Sequence, residues 1–326
     1  MDQEQFEKKK QWASERRPSV KRRRVGHDYR SRCIYMVTLV VKGRLPLLGQ
    51  VTGDGDIHPA VMQPSELGQA ILNELAAISH HYPNVKVISH QLMPDHLHAI
   101  IFVQDRIPYH LSRVISGFKG GCNQLLRSFQ QQGIICDPIA SLWESGFNDR
   151  ILIGKGHLQR MMDYIDDNPR RLAIKRHHQD YFQVQRNVQV GGLTFAALGN
   201  LFLLNAPQLV QVQCTRRMTE EQIADTRHRF LEMANNGAVL VSPSISSGEK
   251  AVMRAAFEQG YPIIVLLENG FAPLAKPGGK RFDACAQGRL LLLAPWEHHN
   301  ERRTIQRQQC KELNAMAAAI CGQQKP

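Results

Sequence analysis

Two apolar runs, Val85–Leu92 and Leu97–Val103, are separated by the turn Met93-Pro94-Asp95. A link that short suits an antiparallel hairpin, and the hairpin anchors the fold expected around it. Before it, Cys33–Val41 (CIYMVTLVV) reads as a buried strand. Residues 66–80 read as a helix with Ser65 as its cap, because Leu67, Ala70, Ile71, Leu75 and Ile78 fall at helical spacing. After it, Tyr109–Phe129 carries Leu111, Val114, Ile115, Phe118, Leu125 and Leu126 on one helical face, with an irregularity expected at Gly120 and Gly121. Arg150–Ile153 is a short strand, and His157–Asn168 a helix that Pro169 should halt. The order β-α-β-β-α-β-α is that of an α+β, ferredoxin-like split β-α-β domain.

Past residue 190 the texture changes. Phe202–Leu204, Ala238–Val241 and Tyr261–Leu267 read as strands, with helices at Glu220–Asn235 and Gly248–Gln259 between them. Continuous apolar strands alternating with helices predict an α/β, Rossmann-like domain with a parallel sheet. The expected organisation is thus a basic flexible arm over 1–32, a first domain over 33–188 and a second over 189–326. The formal charge of +12 points to a polyanionic partner. The basic excess is larger before residue 190 than after it. Seven scattered cysteines without a CxxC pair exclude a disulfide framework and a zinc finger as the basis of the fold. The charged start and the lack of any stretch near 18 apolar residues predict a cytoplasmic, nucleoid-associated protein with no membrane partner.

In PDHLHAIIF, His96 and His98 are two apart at the start of a strand, so both imidazoles share one face while Leu97 points into the core. That spacing suits a metal ion, although the pair by itself reads equally well as surface histidines. In MMDYIDDNPRR, Tyr164 and Asn168 are four apart on a predicted helix and share a face. By itself that segment reads as an ordinary helix terminus.

Taken together with WESGFNDRILI, these segments resemble the HUH (His, hydrophobic, His) transposases with one catalytic tyrosine, particularly the REP-associated tyrosine transposases. The resemblance spans about residues 30–180, with the three motifs in the family's order. It implies that Tyr164 attacks a phosphodiester of single-stranded, hairpin-containing DNA to give a 5′-phosphotyrosine. It further implies that His96 and His98 hold a divalent metal ion, Mg2+ or Mn2+, with Asn168 as third ligand. A tyrosine hydroxyl with its pKa near 10 needs such help. Trp143, Glu144, Phe147 and Arg150 match the family's W-E-x-x-F-x-D-R segment, while Asn148 stands where many relatives carry His. Lys119 matches a lysine common on that helix in relatives and is the foremost candidate to contact the DNA backbone. Arg113, Arg150, Arg170 and Arg171 could track the phosphate backbone, and Tyr109, Phe118 or Trp143 could stack on bases. The family includes dimers and monomers, so a homodimer is one expected state.

The stretch GAVLVSPSISSGEKAVMRAAFEQGYPIIVLLENG resembles the Rossmann-like domain of the DprA and LOG families in its strand, turn, helix, strand order. Ser246, Ser247 and Gly248 at that helix start could present amides to a phosphate. Two other readings stay open: a DNA-binding regulator on the same fold without catalysis, and a relaxase or replication initiator using the same chemistry.

Overall fold

Every second residue of β1 (Cys33–Val40) from Tyr35 onward is buried, the signature of a strand with one face on a core. In the computed structural model, which describes residues 23–301 and 303–322, β1 is flanked on both sides. β5 (His96–Val103) pairs with it on one edge and β6 (Asn148–Ile151) on the other, both antiparallel. β4 (Val85–Met93) completes the order β4-β5-β1-β6 through the expected hairpin. β2 (Gly49–Thr52) and β3 (Val61–Pro64) form a separate antiparallel pair.

One face of the main sheet is closed by α1 (Glu66–Ala76), α2 (Ile78–His81) and α3 (Leu111–Gln131). Tyr35, Val37, Leu97, Ile101, Ile71, Leu75, Leu111 and Ile115 meet there. Ser65 caps α1 by accepting the Gly68 amide at 3.0 Å. No irregularity occurs at Gly120 and Gly121, where α3 runs unbroken. Gly121 instead faces the Glu74 side chain of α1, whose carboxylate would swing aside to admit a Cβ.

The opposite face receives α4 (His157–Asp166). An apolar island of Ile100, Leu152 and Ile165, edged by Met161 and Met162, seats it. Pro169 does not end the helical run. α4 stops at Asp166 and α5 (Asn168–His177) begins at once, with Pro169 in its first turn. The missing N–H of proline has no intrahelical partner to lose there.

Residues 1–22 of the expected arm lie outside the described residues. Its remainder is tied down at two points: Tyr29 is buried and donates to the Asp149 carboxylate at 2.9 Å, and Arg23 ion-pairs with Asp149. The Arg23 guanidinium also lies 3.6 Å from the centre of the Phe147 ring.

The chain divides into two compact units, 1–174 and 175–326. The division precedes the expected 188/189 boundary because β7 (Gln185–Val190) pairs with β8 (Leu193–Gly199) in the second unit's sheet. That sheet has the order β7-β8-β12-β11-β10-β9, where β9 is Leu209–Gln211, β10 Val239–Ser242, β11 Ile263–Leu266 and β12 Leu290–Ala294. β9 to β12 run parallel, joined by α6 (Glu220–Asn235), α7 (Ser247–Gln259) and α8 (Lys280–Ala286). α9 (Arg307–Gly322) packs on β9 and β10. The sheet is mixed rather than purely parallel, because β8 and β7 are antiparallel additions. Phe202–Leu204, expected as a strand, is part of a short 3-10 helix over Leu201–Asn205. Among the described residues no helix is long and apolar enough to cross a membrane.

Candidate active site

The register of the first sheet decides which side chains meet. Thr38 on β1 lies directly opposite His98 on β5, and Val40 opposite His96. Both histidines therefore project from the face that carries α4, while Leu97 between them is wholly buried on the other. The imidazole centres are 4.9 Å apart with ring planes at 84°. Tyr164 joins them from α4, its ring 6.2 Å from that of His98. Its neighbour Ile165 is anchored in the apolar island, while Tyr164 keeps 42% of its surface exposed. The three residues singled out from separate motifs thus come together.

Each histidine is oriented by a partner that sequence reading missed. His96 Nδ1 donates to the Asp95 carboxylate at 2.6 Å, and Asp95 is itself paired with Arg44 at 2.9 Å. Burial opposes the charge on Asp95, but the hydrogen bonds and charges of His96 and Arg44 outweigh it and hold its carboxyl down at about 2. Because that carboxylate only accepts, Nδ1 carries a proton and Nε2 is the His96 nitrogen left to turn toward a ligand. His98 Nδ1 lies 2.8 Å from the Thr38 hydroxyl, which can accept its proton and leave Nε2 free in the same way.

Burial, followed by the charge of His96, lowers His98 to about 4, so its ring is neutral at pH 7. Its depressed folded-state value means that the unfolded chain binds the extra proton between about pH 6.5 and 4. Stability from this group is complete above that window and lost progressively as pH falls through it, by about 3 kcal/mol in all. Urea midpoints measured in EDTA from pH 7 to pH 4 should fall more steeply for the native chain than for His98→Gln. Parallel curves would contradict this.

Asn168 follows Tyr164 by four residues, and its side-chain Nδ2 is buried without a hydrogen-bond partner. Since amide N and O are assigned from their surroundings, the same orphaned position can present the carbonyl oxygen. Among the described residues, no three His, Cys, Asp or Glu side chains are grouped to hold a metal ion. Two imidazole nitrogens and an amide oxygen would make a donor set that suits Mn2+ and accommodates Mg2+.

The expected DNA-contacting cations divide. Arg150 is exposed on β6 and reaches Met161 Sδ of α4 at 3.6 Å, which places it beside the site. Arg170 and Arg171 are held by the Asp167 carboxylate. Arg113 is exposed on α3, 5.9 Å from the Tyr109 ring centre. Lys119 donates to the Glu144 and Gly146 carbonyls at 2.7 and 2.8 Å, so it shapes the loop before β6. Phe118 and Trp143 are buried in the core, where they cannot stack on a base, while Tyr109 packs edge-on against Tyr82. Exposed Asn148 pairs across from Thr38 and lines a polar cleft of about 340 Å³ with Arg44 and Ser145.

In the second unit, one of the amides at the helix start expected to meet a phosphate, that of Ser246, already has an acceptor. The buried Glu249 carboxylate accepts the amides of Ile245 at 2.7 Å, Ser246 at 3.1 Å and Cys214 at 3.2 Å. The Ser246 hydroxyl in turn accepts the Glu249 amide, completing a capping box. Gly248 lets α7 approach Cys214 and Met218, to which a Cβ would come within 3.0 Å.

No family model matches the chain. An uncharacterized protein of Haemophilus influenzae is 22% identical over 163 residues, 44% of this chain and 83% of that protein. A REP-associated tyrosine transposase solved with a REP hairpin aligns at 14% identity and a TM-score of 0.32, covering 45% of this chain and 72% of that one. DNA processing protein A from Helicobacter pylori, studied for its single-stranded DNA binding mode, aligns at 18% identity and a TM-score of 0.32, covering 43% and 66%.

Proposed function

We propose that the first unit cleaves and rejoins single-stranded DNA as an HUH-type tyrosine transposase on a ferredoxin-like scaffold. The observation that carries this reading is the meeting of Tyr164 with His98 and His96 across two separate elements. His96, His98 and Asn168 would hold a divalent metal ion, which when bound offsets charge gathering on the phosphate oxygens. Asp95 and Thr38 orient the two imidazoles, and Arg150 approaches the strand beside them. Tyr164, partly exposed, gives up its proton to solvent as its oxygen bonds to phosphorus. The bond from phosphorus to the 3′ oxygen breaks, and that oxygen takes up a proton to become a free 3′-hydroxyl. The 5′-phosphotyrosine conserves the phosphoester, so a 3′-hydroxyl attacking it rejoins strands and regenerates the tyrosine.

The test is incubation of the full chain with a labelled single-stranded hairpin and Mn2+, followed by denaturing electrophoresis. A denaturant-resistant adduct is expected, absent with EDTA and absent in Tyr164→Phe. An adduct that survives in Tyr164→Phe would overturn the nucleophile assignment. Tight binding of the hairpin by the native chain without any adduct would favour the regulator.

A further inference from the structure

Three described residues other than glycine hold a positive φ: Arg44 at 55°, Asn187 at 60° and Ser244 at 53°. Asparagine enters that region readily, and the Ser244 amide is held there by the Ser242 hydroxyl, which accepts it at 3.1 Å. Arginine has no such preference, and Arg44 follows Gly43 at φ 66°, so two successive residues are left-handed. Glycine would adopt the position without strain.

The surroundings impose this conformation. Turn 41–44 is clamped between the Pro94-Asp95 turn of the hairpin and the segment before β6. The Val41 amide donates to the Asp95 carbonyl at 2.9 Å, and the Lys42 amide to the Leu142 carbonyl at 2.8 Å. The Gly43 amide donates to the Glu144 carboxylate at 3.1 Å, and the Arg44 amide closes the turn on the Val41 carbonyl at 2.8 Å. Backbone strain persists where neighbours over-determine it, and it collects at functional sites. Stability gives little reason for an arginine here, because its side chain is 66% exposed and exposed ion pairs contribute little.

The contacts of Asp95 supply the reason. Its Oδ1 accepts His96 Nδ1 at 2.6 Å, and its Oδ2 accepts Arg44 Nη1 at 2.9 Å. With the Asp95 carbonyl held by Val41 and the second carboxylate oxygen held by Arg44, the carboxylate is fixed in the rotation that meets His96. We propose that Arg44 is a positioning residue for His96, holding the Asp95 carboxylate on Nδ1 and so leaving Nε2 to meet a ligand. The strained turn is the means of bringing the guanidinium to Asp95. The consequence for DNA cleavage rests on the transposase reading, whereas the effect on the His96 ring does not.

The experiment compares the native full chain with Arg44→Gly and Arg44→Lys. Nitrogen NMR of the metal-free proteins at alkaline pH reads the His96 tautomer. The native ring should carry its proton on Nδ1, Arg44→Gly should show a mixture of tautomers, and Arg44→Lys should resemble the native chain. Mn2+ affinity, measured by calorimetry without DNA, should fall about tenfold in Arg44→Gly and recover most of that in Arg44→Lys. Adduct formation should slow in the same proportion, while hairpin affinity in EDTA changes much less. Because the substitution relieves a left-handed arginine, the melting temperature of Arg44→Gly should hold or rise. A native chain that forms no adduct would sink the transposase reading, and the His96 signal would still decide the role of Arg44. An unchanged His96 tautomer with unchanged Mn2+ affinity in Arg44→Gly would overturn the proposal. So would a fall in hairpin affinity as large as the fall in Mn2+ affinity, which would make Arg44 a phosphate contact instead.

Discussion

Glu249→Ala should destabilise the second unit by about 3 kcal/mol or more, measured as a fall in the urea midpoint of its unfolding. The side chain is 2% exposed and accepts three backbone amides, from Ile245, Ser246 and Cys214. Each buried donor left without an acceptor costs about 1–3 kcal/mol. Against a typical domain stability of roughly 5–15 kcal/mol that is a large share. The neighbouring turn raises the stakes, because Ser244 sits at φ 53 and is held there by the Ser242 hydroxyl, which accepts its amide at 3.1 Å. The variant carries a second signature. With the carboxylate gone, the same amides face an empty anion position, so phosphate or sulfate should raise the melting temperature of Glu249→Ala and leave the native chain much less affected. A loss below about 1 kcal/mol would mean that water reaches those amides and that Glu249 is not their main support.

Removing either imidazole should act on chemistry instead of folding. His96→Ala and His98→Ala are each expected to slow adduct formation by roughly a thousandfold, about 4 kcal/mol of transition-state stabilisation. Mn2+ affinity should fall in parallel, read by calorimetry in the absence of DNA. The two variants differ in their side effects. His96 is partly exposed at the strand start, so its removal leaves the fold intact. His98 is 7% exposed and opposes Thr38, so its removal also opens a small cavity in the sheet face. Cleavage unchanged in both variants, with Mn2+ still bound, would remove the histidine pair from the mechanism.

The elements that could be read from the sequence share a property: their signal is local. Apolar runs on either side of a short turn mark β4 and β5, and helical spacing marks α1 and α3. His96, His98 and Tyr164 were legible because motif order stands in for distance. Thr38 was not legible, since its role follows from a register between strands some sixty residues apart. Asp95 was in plain view beside His96, yet its ion pair with Arg44 depends on the fold. Pro169 was misread because proline breaks a helix from within and suits its first turn equally well. The Ser246-x-x-Glu249 spacing was a readable capping box and could have shown that the Ser246 amide already has its acceptor. The apolar Phe202–Leu204 stretch was too short for periodicity to separate strand from 3-10 turn. The buried tie of Arg23 and Tyr29 to Asp149 left no local trace at all.

The borders of both sheets have a bearing on self-association. In the first sheet the outer strands are β6, four residues long, and β4, interrupted by a bulge near Ile88. In the second they are β9, three residues long, and β7, whose pairing slips between Gln185 and Val188. Short or bulged margins make poor templates for another chain's backbone, and they blunt the amyloid-like stacking that long flat margins invite. Two copies that pair are therefore expected to meet through side-chain surfaces, and substitutions that disrupt such a pair should be sought on the helices.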